Sequence, residues 1–263
     1  MKTPLITLLT DFGLKDHYVG AMKGVMLGIC PDAQLVDISH EVAAYSITEG
    51  AYTLAQAWRC FPEGTVHLVV VDPGVGSARR PIIAEAAGYW FVAPDNGVLT
   101  MVYDAVPEHE VREITASRFF RHPVSQTFHG RDIFSPVAAY LARGVGTADF
   151  GPVLQDYRRL GFSKPVQIGP KSWRGRVLKV DWFGNVITNF ESEEWRRLGS
   201  EAFVLRLGET CVSRVAVNYA GKEAGRLYVI AGSSGYLEIS RSQGSAAETV
   251  GVKAGDAVEL DVG

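Results

Sequence analysis

Residues 66–71, Val-His-Leu-Val-Val-Val, form a near-continuous apolar run that stops at Asp72, with Pro73 and Gly74 directly after it. Such a run, without polar alternation, suits a strand covered on both faces, as in the middle of a parallel sheet. Proline and glycine end the strand, so its carboxyl end delivers Asp72. Two cations, Arg79 and Arg80, follow within a few residues. Open α/β sheets bind ligands beyond the carboxyl ends of their strands, which predicts Asp72 at the mouth of a cleft with a guanidinium in reach. The same residues also fit a turn-capping aspartate with two solvated arginines, and this stretch alone leaves both readings open.

The pattern recurs at residues 5–10, an apolar strand that ends at Asp11 with Phe12 and Gly13 behind it. Spacing predicts helices over 19–29 and 46–58, the second with Ile47, Ala51, Leu54, Ala55 and Trp58 on one face and Thr48 as an N-cap candidate. Strands are expected over 34–38, 82–86 and 89–92, a short helix from 99 to 103, and an edge strand over 110–114. Asp95-Asn96-Gly97 reads as turn chemistry. Another helix is expected over 133–142, with Asp132 as its N-cap and Pro136 in its first turn. Alternating strands and helices argue for a mostly parallel, doubly wound sheet with helices on both faces.

Beyond residue 150 the character changes. Residues 153–165 read as a linker, and short strands with Gly-rich turns follow, with a single helical turn expected at 193–198. That pattern suggests a smaller antiparallel barrel or sandwich. The expected division is therefore an α/β domain over 1–152, the linker over 153–165, and a β domain over 166–263.

Composition narrows the function classes. Of 263 residues, 47% are apolar and 21% charged, with a net charge of −3, so the chain lacks the basic surplus of a nucleic-acid binder. Its N-terminal apolar run is too short for a signal peptide, and no apolar stretch is long enough to span a bilayer. Cys30, Cys60 and Cys211 show neither zinc nor disulfide spacing and read as buried free thiols in a reducing cytoplasm. His67, inside the apolar strand, reads as a core histidine with its polar needs met.

Six motifs occur in order: TDFGLKD, VVVDPGVG, APDNGVLT, TFHGRD, VDWFGNVITN and GSSGYLEIS followed by QGSA. Together they resemble the S-adenosyl-L-methionine (SAM) hydrolases, or SAM hydroxide adenosyltransferases, relatives of the fluorinases and chlorinases. The likeness covers nearly the whole chain. It implies a C-terminal antiparallel β-barrel domain, a homotrimer, and active sites at subunit interfaces. It also implies a cytoplasmic enzyme with no cofactor, in which SAM is the substrate and adenosine and L-methionine the products.

The resemblance carries residue roles with it. Asp72, Arg79 and His129 match the set around the attacking water. The choice of Arg79 over Arg80 rests on family spacing alone. Asp11 matches the carboxylate that holds the ribose diol, and an ionised Asp can accept from two hydroxyls at once. Asp16 matches a residue near the methionine ammonium, and Tyr45 an aromatic lid. Asp181, Phe183 and Asn185 match a loop that meets methionine and adenine. Ser233, Ser234 and Glu238 match a closing loop. Gln243 and Ser245 fall where backbone atoms meet adenine, and Tyr219 either stacks on the purine or belongs to the core.

In the fluorinase branch the Asp72 position is aromatic, the His129 position is not histidine, and an insertion separates the APDNGVLT-type and FHGRD-type motifs. The corresponding interval here, 101–126, is short, and these departures favour water over halide as the nucleophile. Three alternatives stay open: a halide adenosyltransferase, a non-catalytic SAM- or adenosine-binding protein, and a metallohydrolase built on Asp11, Asp72, His129 and Asp132.

Overall fold

The structure, a computed structural model, describes residues 3–161, 164–196, 202–219 and 223–263. The helical turn expected at 193–198 runs beyond them, because residues 197 and 198 lie outside the described residues. The chain forms two compact units, Met1–Leu160 and Gly161–Gly263.

The first unit runs β1 (Leu5–Thr10), α1 (Tyr18–Ile29), β2 (Gln34–Ser39), α2 (Ile47–Ala57), β3 (Val66–Val70), β4 (Pro81–Ala86), β5 (Tyr89–Pro94), α3 (Thr100–Ala105), β6 (His109–Glu113) and α4 (Ser135–Ala142). Its strands make one sheet in the order β2-β1-β3-β5-β4-β6. The four strands β2, β1, β3 and β5 are parallel. By contrast, β4 runs antiparallel to both β5 and β6. The reason is local: Ala87 and Gly88 join β4 to β5 with φ of 49° and 79°. A two-residue turn with both φ values positive makes a hairpin, whereas a parallel crossover needs a dozen residues or more.

Every residue of β3 is buried. Val66, Leu68 and Val70 pack with Met22 and Met26 of α1 and Val137 and Ala138 of α4. Val69 and Val71 pack on the other face, with Leu54 and Trp58 from α2 and its extension and Leu99 and Val102 around α3. The apolar run thus reflects a strand between two helix layers. His67 is fully buried in it and bonds Thr7 Oγ1 through Nδ1 at 2.7 Å, while its Nε2 has no partner among the described residues. Its polar needs are therefore only half met.

Two expected caps are corrected. Ser46, not Thr48, caps α2, its Oγ accepting from Glu49 N at 3.3 Å. Asp132 does not cap α4, because a π-helical turn, Gly130–Phe134, runs straight into that helix. Residues 153–160 belong to the first unit, where Leu154 and Tyr157 pack on its core and Leu160 N donates to Thr100 Oγ1 at 2.9 Å. The cysteines are all free, but only Cys30 is buried; Cys60 and Cys211 are exposed.

The second unit contains β7 (Val166–Gly169), β8 (Ser172–Val180), β9 (Val186–Glu191), β10 (Phe203–Leu207), β11 (Thr210–Val212), β12 (Leu227–Ala231), β13 (Tyr236–Arg241), α5 (Ala246–Val250) and β14 (Ala257–Val262). Its antiparallel order is β11-β10-β14-β8-β9-β13-β12, with β7 beside β8. A bridge between Val215 and Val229 brings the two ends near closure, giving a barrel-like sheet around Val177, Phe190, Leu205, Ile239 and Leu260. Sequence pattern anticipates neither β7, β11 nor α5. All three are short, with too few residues to show a period.

Candidate active site

From β1 the chain turns to β2 on one side of the sheet, and from β3 it goes to β4 and back to β5 on the other. The crevice beyond the carboxyl ends of β1 and β3 is therefore a topological switch point, where open α/β sheets take ligands. Thr10 of β1 lies opposite Val70 of β3, so Asp11 and Asp72 emerge side by side above it.

After Asp72 the chain folds tightly. Val75 N donates to Asp72 O at 3.3 Å, Ser77 N to Gly74 O at 3.1 Å, and Ser77 Oγ to the same carbonyl at 2.6 Å. This fold returns Arg79 to Asp72. Arg79 Nε donates to Asp72 Oδ1 at 3.0 Å and Oδ2 at 2.8 Å, and Nη2 donates to Oδ2. The same Nη2 lies 2.8 Å from His129 Nδ1. One guanidinium thus joins a carboxylate and an imidazole 50 residues further along the chain. Side-chain exposure is 4% for Asp72 and 9% for Arg79, so the ion pair is buried with its partners in place. Arg79 Cζ also stands 5.1 Å above the Phe134 ring. Arg79 lines a recess of about 820 Å³ together with Pro73, Gly74, Ser77 and Asn96.

Gly76 lets the two loops meet. Its φ is +77°, and a Cβ built there would lie 2.4 Å from the Gln126 carbonyl oxygen. Any side chain would push this loop away from the segment that leads to His129. Arg80 turns away, to Asp95 Oδ2 through Nη2 at 2.7 Å and to Asp156 Oδ1 through Nη1 at 2.8 Å. Neither arginine is simply solvated.

The geometry sets the state of His129. An arginine can only donate, so Nδ1 accepts and the ring is neutral with its proton on Nε2. Electrostatics agree: burial and then the Arg79 charge hold its pKa below the ordinary 6.5, against the pull of Asp72 and Asp132. Asp132 itself is fully buried. Arg131 donates to it from Nε at 2.7 Å and Nη2 at 2.8 Å, Arg121 from Nη1 at 3.2 Å, and Ser125 N at 2.9 Å. Burial alone would raise its pKa, but these donors outweigh it and leave the carboxyl below its ordinary value. Asp132 therefore ties residues 121–125, the approach to His129, onto the turn that bears His129. Sequence reading offered Asp132 only as a helix cap or as a metal ligand, not as this tie.

Asp11 is half-buried, and burial raises its pKa despite a hydrogen bond from Tyr45 N to Oδ2 at 2.8 Å. Tyr45 has a φ of +67° and is 74% exposed. Asp16 is exposed. Phe12, Tyr18 and Phe128 form an aromatic cluster beside Asp11 and His129, with the Tyr18 and Phe128 rings 5.1 Å apart and edge-on.

The candidate residues of the second unit form a different kind of site. Asp181 Oδ1 accepts from Phe183 N at 2.9 Å and Asn185 N at 2.8 Å, and Oδ2 accepts from Asn185 Nδ2 at 2.8 Å. The carboxylate shapes its own hairpin and leaves Phe183 76% exposed and Trp182 95% exposed at the tip. Glu238 is buried and accepts from Tyr219 OH at 2.9 Å and Ser234 Oγ at 3.4 Å. Burial raises its pKa. Burial and the hydrogen bond to Glu238 push the Tyr219 phenol to about 12. Ser233 and Gln243 are exposed, Gln243 with a φ of +57°. Ser245 caps α5 by accepting from Glu248 N at 3.0 Å. Tyr219, at 54% exposure, is not a core residue.

Among the described residues no group of three or more His, Cys, Asp or Glu side chains is arranged to hold a metal ion, and no helix is long and apolar enough to cross a membrane. Residues 6–151 match the N-terminal domain of the SAM hydroxide adenosyltransferases, and residues 175–259 match their C-terminal domain. The chain belongs to that family. It is 37% identical to the (R)-S-adenosyl-L-methionine hydrolase of Salinispora tropica, covering 99% of both chains. Against the enzyme of the same name from Methanocaldococcus jannaschii it is 33% identical, covering 97% of this chain and 95% of the relative. Family members named fluorinase are more distant, at 29% identity for that of Nocardia brasiliensis. A crystal structure described as an uncharacterized conserved protein from Thermotoga maritima superposes with a TM-score of 0.88 at 40% identity, covering 97% of this chain and 99% of that one.

Proposed function

We propose that this protein hydrolyses SAM by attack of water-derived oxygen on the ribose C5′ carbon, releasing adenosine, L-methionine and one proton. The observation that carries the reading is the Arg79 guanidinium shared between the Asp72 carboxylate and His129 Nδ1. In this reaction the C5′–sulfur bond breaks as the C5′–oxygen bond forms. The sulfonium leaves as a neutral thioether and needs no acid. The demanding part is the nucleophile, since bulk water has a pKa of about 15.7.

Arg79 and the Nε2–H of His129 offer positive charge and a donor to a developing hydroxide. The Nδ1 lone pair is already engaged by Arg79, so His129 holds the oxygen rather than abstracting its proton, which passes to solvent water as the C5′–oxygen bond forms. Asp72 balances the guanidinium charge and fixes its plane. Alignment behind C5′ is worth roughly 7–11 kcal/mol. General-base assistance contributes less, about 10²–10⁴-fold where it operates. Positioning therefore carries most of the rate.

Asp11 takes the ribose diol with the carboxylate capacity that Tyr45 N leaves over, and Tyr45 closes above it. Asp16 meets the methionine ammonium. From the second unit, Asp181, Phe183 and Asn185 meet methionine and adenine, Ser233, Ser234 and Glu238 close over the ligand, and Gln243 lies against the purine. We further propose a metal-independent, cytoplasmic homotrimer whose sites combine the first unit of one protomer with the second unit of its neighbour. The exposed Trp182 and Phe183 suit such a role. Light scattering at three chain masses supports the trimer, and a monomer ends it.

The deciding experiment incubates the protein with SAM in oxygen-labelled water, with and without a chelator. Label at the adenosine 5′ oxygen, undiminished by the chelator, is the expected result. Intact SAM after long incubation would overturn the proposal in favour of a binding protein. Halide-dependent formation of a 5′-halo nucleoside would overturn it in favour of halide transfer.

A further inference from the structure

Asp95 and Asn96 follow β5 in a stretch whose composition reads as an ordinary turn, yet their hydrogen bonds reach elsewhere. Asn96 Nδ2 donates to Val71 O at 2.8 Å, the carbonyl of the peptide bond that leads into Asp72. Asn96 Oδ1 accepts from Val98 N at 3.1 Å. Asp95 N donates to Arg80 O at 2.8 Å, one residue beyond Arg79. The Asp95 side chain, 3% exposed, accepts from Arg80 Nε at 3.1 Å and Nη2 at 2.7 Å, and from Arg158 N at 2.7 Å. Two consecutive residues therefore hold both ends of the segment that bears Asp72 and Arg79. The β3–β5 ladder does not do so, because its pairing stops at Leu68 and Val92.

Asparagine suits this position. It must donate to one backbone carbonyl and accept from one backbone N–H at the same time, which a carboxamide does. Aspartate has the same shape but would set a carboxylate oxygen against the Val71 carbonyl, and alanine would supply neither bond. We propose that Asn96, seconded by Asp95, is a positioning residue for the Asp72–Arg79 pair, holding the base of their loop so that one guanidinium meets both Asp72 and His129. This rests on the catalytic reading of those three residues. Displacements of about 1 Å in such an arrangement cost on the order of 10²-fold in rate.

The test compares Asn96→Asp and Asn96→Ala with wild type and with Val111→Ala, a core truncation in edge strand β6. Turnover of SAM, thermal unfolding and the ¹⁵N shifts of the His129 ring, assigned by difference with His129→Gln, are all measured. In wild type, Nδ1 is unprotonated and Nε2 protonated. The expected result for both Asn96 variants is a kcat lowered about 10–100-fold with KM within about twofold. His129 shifts should then average between tautomers. Val111→Ala should lose comparable thermal stability yet keep wild-type kcat and shifts. Wild-type kcat in Asn96→Asp, or wild-type His129 shifts in both variants, would overturn the proposal. So would a kcat loss in Val111→Ala equal to theirs. Should wild type itself not turn over SAM, the functional reading falls, and the ring shifts alone decide the positioning role. If Asn96→Ala does not fold, the isosteric Asn96→Asp carries the test.

Discussion

The two units bring their candidate residues to the surface in opposite ways. In the first, the side chains of Asp72 and Arg79 are buried and bonded to each other, and His129 is held through its Nδ1. In the second, Trp182, Phe183 and Tyr219 stand exposed, while Asp181 and Glu238 spend their oxygens on neighbouring groups. The difference follows the work proposed for each. Groups that must stabilise a short-lived charge gain from being fixed before the substrate arrives, since reorganisation then costs nothing during reaction. Groups that only grip a ligand or a neighbouring chain gain from apolar area left uncovered until contact.

Substitutions test that contrast, and the largest effect belongs to the buried pair. Asp72→Ala leaves the guanidinium without its counter-charge in a site of 9% exposure. A loss of about 3–5 kcal/mol in unfolding free energy is expected. Adenosine formation should fall at least ~10³-fold. Arg79→Lys should also lose about 10²–10³-fold in kcat, because a single ammonium cannot span both partners. Denaturant titration and product assay check both. Near-normal turnover in Arg79→Lys would mean that the bridge is incidental.

Next in size is the pH response. His129 must stay neutral to accept from Arg79, and its pKa is held below 6.5. The expected kcat/KM is flat above that value and falls tenfold per unit as pH drops through the depressed pKa. An inflection above 6.5 would contradict the neutral ring. A smaller effect is expected at the exposed tip. Trp182→Ala and Phe183→Ala should raise KM about tenfold, leave kcat within about threefold, and change stability by no more than ~0.5 kcal/mol. A large drop in melting temperature would show that the tip is structural.

The last prediction concerns stability and leaves catalysis untouched. Burial lowers the His67 pKa from 6.5 to about 3. Above pH 6.5 both folded and unfolded states are neutral there. Below it the unfolded chain takes up a proton that the folded chain refuses, so stability falls as pH drops from 6.5 towards 3. The total is on the order of 5 kcal/mol. Unfolding midpoints measured against pH should become shallower in His67→Gln, and an unchanged slope would sink the account.

Much of this was legible in the chain. The all-buried β3 is visible as an apolar run, because burial on both faces removes polar residues from every position. Six motifs in order point to the family, and the carboxylates that end β1 and β3 are readable from the proline and glycine breaks. Thr48 and Asp132 misled, because a capping residue type says what a side chain can bond and not which backbone it will meet. The two exposed cysteines misled as well, since spacing carries no information on burial.

The amino-acid order alone determined the longer strands and helices, where an aspartate would end a strand, and the family to which the chain belongs. These depend on local periodicity and on short motifs, which a linear reading captures. Only the tertiary structure decided that one Arg79 guanidinium reaches both Asp72 and His129, that His129 accepts through Nδ1, and that Asn96 grips the carbonyl ahead of Asp72. Each is a pairing between distant segments. The register of neighbouring strands and the path of the loops between them select such pairings, and no single segment encodes either one.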